Sequence, residues 1–257
     1  MTKKLLLATA ILGANLLYAE HSKADIKLAH NKHENQVHWG YTGAGAPENW
    51  AKIDQRSFMC AEGSNQSPIN LTVFTESELP AIKFNYNLVS SELLNNGHTV
   101  QTNIKEGSSI TLDGITFDLK QFHFHTPSEN NINGTSYPLE AHFVHASKEG
   151  KLAVVAVMFE EGEENKALTE LWAKMPNNAG DKHSIDAKEL NALLPKDRDY
   201  YRFNGSLTTP PCTEGVRWLV MKKSVTLSKA QVETFAKVMQ QHNNRPLQPA
   251  NARAILQ

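Results

Sequence analysis

The sequence is sparing in the features that most directly mark a specialised chain. Only two cysteines, Cys60 and Cys212, occur in 257 residues, so at most one internal disulfide is available. Neither sign of charge dominates: 26 Lys and Arg balance 27 Asp and Glu, for a formal net charge of −1. No basic stripe with interleaved aromatics argues for nucleic acid, and no acidic tail argues for a charged partner. Internal repeats and low-complexity linkers are missing, and nothing divides the chain into separate domains. Beyond residue 17 no run is apolar enough to cross a bilayer, so no stable membrane anchor is expected. What is left is an ordinary soluble composition, 40% hydrophobic and 21% charged, with material for a sizeable core.

The N-terminus stands apart. Lys3 and Lys4 precede an apolar run from Leu5 to Leu17, followed by small and polar residues. That layout predicts an export signal over residues 1–24, cleaved after Ala19 or Ala24; the run is shorter than the roughly 20 residues a spanning helix needs. A retained anchor is the alternative. No cysteine lies near the cleavage region, which excludes a lipoprotein anchor. Residues 25–37 are polar and aperiodic and read as a flexible lead-in, leaving residues 38–257 as the folded domain. In an exported chain the two cysteines suggest a disulfide, with two free buried thiols as the alternative. A bridge would close a loop of roughly 150 residues and contribute on the order of 5 kcal/mol before strain.

The texture is β-dominated. Alternating runs at 82–86, 99–104, 109–112, 115–119, 139–146 and 152–159 predict strands. Asp113-Gly114 and Lys148-Glu149-Gly150-Lys151 supply hairpin turns. Helices are few. Residues 165–174 carry Leu168, Leu171 and Trp172 at helical spacing. Asp186 to Glu189 is a capping-box pattern before a short helix ended by Pro195. Ser228 to Gln231 opens a longer helix, with Val232, Phe235, Val238 and Met239 on one face.

The most telling stretch is Gln121-Phe122-His123-Phe124-His125. Alternate residues of a strand share a face. Gln121, His123 and His125 therefore point one way, and the two phenylalanines anchor the other face. Two hydrogen-bonded strand histidines would leave the same pattern, so this stretch alone does not establish a metal site. The strand Leu139 to His145 adds Glu140, His142 and Val144 on one face and leaves His145 on the other. If the two strands are neighbours, three imidazoles converge. Three neutral histidines leave a fourth zinc position open, the catalytic arrangement. Gln121 and Glu140 each stand two residues before a ligand, placed to orient it.

These residues resemble the α-class carbonic anhydrases, in their bacterial exported form. The likeness runs in order through His38-Trp39-Gly40-Tyr41, Gln66-Ser67-Pro68-Ile69, Asn95 to His98, Gln121 to His125, Glu140 to His145, Gly205 to Pro211 and Asn244-Arg245-Pro246. It implies a single domain, mainly β with peripheral helices. Its centre would be a mostly antiparallel, twisted sheet of about ten strands. It also implies Zn2+ on His123, His125 and His142, and reversible hydration of carbon dioxide to bicarbonate by zinc-bound hydroxide. Thr208 would accept a hydrogen bond from that hydroxide and pass its own proton toward Glu129. Thr209 would help place the substrate. His98 matches the proton shuttle, and an ordinary imidazole pKa near 6.5 suits that task. Tyr41, Asn96 and Gln101 match the polar wall that orders water. Val144, Val154, Leu207 and Trp218 match the apolar wall that holds carbon dioxide. A Cys60–Cys212 bridge would pin the Thr208 loop.

Two departures from the commonest family pattern are Thr126, where a bulkier aromatic stands in animal members, and Asn130, where histidine is frequent. They leave open what supports Glu129. The resemblance favours the periplasm over full secretion, and leaves open a homodimer. A non-catalytic zinc-binding or interaction module on the same fold is the main rival. A metallo-β-lactamase type of zinc hydrolase is less consistent, because it wants Asp where Pro127 stands. Slow esterase activity is compatible with the main reading.

Overall fold

The computed structural model describes residues 37–257 apart from 88–90 and 187. The expected export signal and nearly all of the lead-in lie outside the described residues. In chain order the strands are β1 (Asn70–Leu71), β2 (Phe74–Thr75), β3 (Lys83–Asn85), β4 (Ser91–Asn95), β5 (Val100–Asn103), β6 (Ser109–Leu112), β7 (Ile115–His125) and β8 (Asn131–Ile132). They continue as β9 (Leu139–Ala146), β10 (Leu152–Glu161), β11 (Lys182–Ile185), β12 (Tyr200–Ser206), β13 (Glu214–Met221), β14 (Val225–Leu227) and β15 (Ile255–Leu256). The α-helices are α1 (Trp50–Ile53), α2 (Met59–Glu62), α3 (Lys166–Trp172) and α4 (Lys229–Met239).

One large sheet organises the molecule, in the order β11-β4-β5-β7-β9-β10-β13-β12-β15-β2. That path of ten strands matches the expectation, and β3, β6 and β14 pair off it. Most pairings are antiparallel; β10 with β13 and β14, and β15 with β2, run parallel. The Asp113-Gly114 turn joins β6 to β7 as predicted, with both residues in the left-handed region that type I′ hairpins require.

Each face of the sheet carries its own apolar cluster. The larger one gathers Phe117, Leu119, Phe122, Phe124, Phe143, Phe159 and Leu219 under α3 and α4. The smaller one holds Val154, Phe203, Trp218 and Val220. Both longer helices begin with side-chain caps. Asn165 accepts from Leu168 N at the start of α3. Ser228 and Gln231 form a reciprocal capping box at α4. The helix expected before Pro195 is instead a 3-10 turn, Lys188–Leu193. Asp186 does accept from Lys188 N, at 3.2 Å.

Candidate metal centre

Strand β7 builds half of the centre, and a bulge aims it. Phe117 and Leu119 enter the larger core, yet so do Phe122 and Phe124. Strict alternation cannot put odd and even positions on one face. The register of β7 against β9 slips between Leu119 and Gln121, so Lys120 is an extra residue that inverts the phase. Without it, His123 and His125 would point into the apolar core with Leu119. With it, they face the opposite side beside Gln121.

The neighbouring strand completes the set. β7 pairs antiparallel with β9, and His123 stands directly opposite His142, with His125 opposite Glu140. The three histidines each offer a ring nitrogen, all within 4.8 Å of one another. Their ring centroids are 4.9, 5.3 and 4.6 Å apart. His145 lies on the far face, fully buried, with Nε2 2.7 Å from the Tyr86 hydroxyl. It is structural, as strand parity predicts.

Two of the three rings have their other nitrogen hydrogen-bonded, and the third has it beside a carboxylate. His123 Nδ1 donates to Gln121 Oε1 at 2.8 Å. His125 Nδ1 donates to the backbone carbonyl of Asn243 at 2.7 Å. His142 Nε2 lies 2.8 Å from Glu140 Oε1, a close polar contact without a formed hydrogen bond. By elimination the atoms turned toward the common point are Nε2 of His123, Nε2 of His125 and Nδ1 of His142. Burial, and the neighbouring imidazoles, push His123 and His142 well below the usual histidine range. Burial lowers His125 as well. All three are therefore neutral, which ligation requires.

Two buried carboxylates stand behind the histidines. Glu140 accepts from the backbone N–H of Glu129 and Asn130 at 2.7 and 2.8 Å, and from Asn130 Nδ2 at 2.8 Å. Asn130 therefore supports Glu140 directly, and Glu129 only through the shared backbone. Glu129 is 1% exposed. Its Oε1 accepts from Arg245 N at 2.8 Å. Burial raises it to about 8, against the Arg245 N–H and the Thr208 hydroxyl, which both favour its charge. The Thr208 hydroxyl thus stands where it favours the ionised carboxylate, while Glu129 Oε2 has no hydrogen-bond partner among the described residues. A cation held by the histidines would pull Glu129 back toward the ionised form.

Thr208 itself sits just past β12, and the chain around it is tightly held. The Cys60–Cys212 disulfide forms, with S–S 2.07 Å, across 152 residues. Ser67 and Ser206 exchange two bonds, Ser67 N to Ser206 Oγ at 2.9 Å and Ser206 N to Ser67 Oγ at 3.1 Å. Gly205 allows that approach: a Cβ there would collide with Ser67 Oγ and lie 2.9 Å from Trp218 Cδ1. Arg245, 2% exposed, ties the pieces together. It donates to Gln66 Oε1, Ser67 O and Cys60 O, each at 2.8 Å.

Three adjacent strands bring the apolar residues Val144, Val154 and Trp218 together. Val154 is in register with Val144 on one side and Trp218 on the other, and Leu207 packs against the same cluster. The Trp218 ring meets His142 edge-on at 4.9 Å. Half-buried Thr209 accepts from Cys212 N at 2.8 Å through its carbonyl. On the polar side, Gln101 stands opposite His123 in the β5–β7 ladder. Asn96 Nδ2 lies 3.5 Å from Gln101 Oε1. Tyr41 is raised well above 10 by burial and by the charge of Glu129. His98 is stacked on Trp39, centroids 3.6 Å apart, with its Nε2 3.0 Å from His38 Nε2. Burial and His38 lower it to about 4, well under the ordinary value expected of a shuttle.

Comparison with known proteins agrees with this geometry. The model of the eukaryotic-type carbonic anhydrase family matches residues 45–257. The chain belongs to the α-class carbonic anhydrases. A curated carbonic anhydrase of Neisseria gonorrhoeae is 47% identical over 226 residues, covering 88% of this chain and 90% of that protein. The solved α-carbonic anhydrase of Thermovibrio ammonificans superposes with a TM-score of 0.82 at 45% identity, covering 86% of this chain and 99% of that one. Dioscorin dioA3 of Dioscorea japonica is also similar, at 38% identity over 81% of each chain.

α-Carbonic anhydrases are zinc lyases whose general reaction is hydration of carbon dioxide, and the donor set here fits zinc. Three neutral imidazoles are a borderline-soft nitrogen set that suits the ion, and a carbonic anhydrase site of this kind is the standard example of it. His125 Nε2 is buried without any hydrogen-bond partner among the described residues, an expensive state for a polar atom unless it ligates. Two residues of this carbonic anhydrase fold escape sequence reasoning. Asn243 orients His125 through its carbonyl, while its side chain binds Thr126 N at 2.8 Å, Phe124 O at 2.9 Å and His98 O at 3.1 Å. No pattern in the sequence points to it. Arg245 sits in the Asn-Arg-Pro signature, which marks the family without showing its task.

Proposed function

We propose that this carbonic anhydrase hydrates carbon dioxide reversibly with Zn2+ held by His123, His125 and His142, and that it works in the periplasm. The observation carrying the reading is the triad of neutral imidazoles with Thr208 and the buried Glu129 beside it. A zinc ion there supplies Lewis-acid chemistry that makes a nucleophile of water near neutral pH, the coordinated-water pKa being about 7 in carbonic anhydrases as a class.

The chain's own groups do the rest. Gln121, the Asn243 carbonyl and Glu140 fix the three rings and their tautomers. Thr208 donates its hydroxyl proton to Glu129 and so offers only lone pairs to the attacking oxygen. That turns the oxygen's own lone pair toward the substrate. Val144, Val154, Leu207 and Trp218 hold carbon dioxide without competing hydrogen bonds, and Thr209 helps place bicarbonate. Tyr41, Asn96 and Gln101 order the water through which a proton reaches His98. The apolar run behind Lys3 and Lys4 supports export, as does the bond between the two cysteines.

Removing the Thr208 hydroxyl tests this reading. Thr208→Val is expected to lower kcat/KM by about 10²-fold in stopped-flow hydration, with zinc content unchanged. An unaltered kcat/KM would remove Thr208 from the mechanism. A non-catalytic module on this fold would instead bind zinc and show no hydration in any variant.

A further inference from the structure

We propose that His38 is the second station of the proton path, receiving the proton from His98 and releasing it to solvent. The inference rests on the reading of His98 as shuttle and names what His98 delivers to.

The geometry is direct. The two Nε2 atoms are 3.0 Å apart, inside hydrogen-bond range. In such a contact one nitrogen must carry the proton and the other must accept it. The ring centroids are 5.1 Å apart. Stacking on Trp39, with planes 9° apart, holds His98 flat against an aromatic wall. The Trp39 ring in turn packs edge-on against Trp50, which is fully buried. The His98 main chain is fastened to the metal centre by Asn243, whose Nδ2 binds its carbonyl and whose own carbonyl binds His125. One end of the path is therefore tied to a ligand residue and the other touches His38.

Exposure falls in the right order. His98 is half-buried and His38 is exposed. Burial and His38 together disfavour a proton resting on His98. His38 is the only titratable neighbour acting on His98 among the described residues. The transfer balances simply. His98 gains a proton on Nδ1 and loses the one on Nε2 to the lone pair of His38 Nε2. His38 gives a proton from Nδ1 to buffer base, and both rings end neutral. Solvent exchange at the exposed ring resets the tautomers.

The test compares His38→Ala, His38→Gln and His98→Ala in stopped-flow hydration at low buffer concentration. Glutamine keeps a hydrogen bond to His98 but carries no exchangeable cationic proton. Both His38 variants are expected to lower kcat by about threefold or more while kcat/KM holds, because proton release limits only kcat. Added imidazole should restore the rate, and the His38→Ala/His98→Ala pair should be no slower than His98→Ala. NMR titration gives a readout apart from turnover: in His38→Ala the His98 pKa should rise. Wild-type kcat in His38→Gln beside a slow His98→Ala would reduce His38 to positioning and overturn the proposal. An unshifted His98 titration would overturn the contact itself. If His98→Ala also keeps full kcat, the shuttle reading fails first and this inference falls with it.

Discussion

His142→Ala is expected to strip the protein of stoichiometric zinc and lower hydration by about 10³-fold or more, since the metal supplies several kcal/mol of transition-state stabilisation. The size of the effect follows from how the centre is built. Among the described residues only three protein donors converge, and their placement comes from β7 and β9, not from mobile loops. No fourth side chain stands ready to replace a lost imidazole among the described His, Cys, Asp and Glu. Glu140→Gln should be far milder, about 10- to 100-fold in zinc affinity, because it disturbs the orientation of His142 and leaves the ligand in place. Metal analysis on the two variants separates these outcomes. Full zinc occupancy in His142→Ala would show that the triad is not the metal centre. Equal losses in both variants would show that Glu140 does more than orient.

Breaking the Cys60–Cys212 bridge carries the second large effect. The bond spans 152 residues, and loop closure of that length stabilises by about 3–5 kcal/mol. It also ends on the segment that presents Thr208. Arg245 donates to Cys60 O, and Gln66 donates to Cys212 O at 3.0 Å. Slack in the bridge therefore reaches the groups that hold Glu129. Cys60→Ala/Cys212→Ala is expected to unfold at markedly lower urea concentration and to lose part of its kcat/KM even where it is fully folded. Urea titrations of the variant, and of the wild type with reductant, check the first point. Hydration assays below the transition check the second. Unchanged stability would mean that packing around Arg245 already fixes both ends.

These effects differ in how far the sequence discloses them. The ligand faces are legible because the β period is two. Gln121, His123 and His125 share parity, as do Glu140, His142 and Val144, and the observed ladder joins the two sets. The bulge at Lys120 is not legible. Continuing the alternation from Phe117 and Leu119 puts the histidines on the wrong face, and only the pairing with β9 shows the slip. Strands β12 and β13 are not among the runs expected from pattern, and Trp218 and Leu207 enter only through family likeness. The alternation is nonetheless present there: Tyr201 and Phe203 flank Arg202, and Val216 and Trp218 flank Arg217. Asn243 is hidden for a different reason. Its key bond to His125 comes from a backbone carbonyl, which any residue possesses. Asn130 shows the opposite case. It looks like a departure from the family, yet its amide and backbone N–H both hold Glu140.

The proposed function requires that zinc on His123, His125 and His142 carry the hydration of carbon dioxide. Stopped-flow hydration of the purified protein, stripped by chelator and then titrated with zinc, tests it most directly. The rate should fall to the uncatalysed level on stripping and climb linearly until one equivalent per chain is bound. A metal-free protein that keeps its rate, or a zinc-loaded one that remains inert, would contradict it.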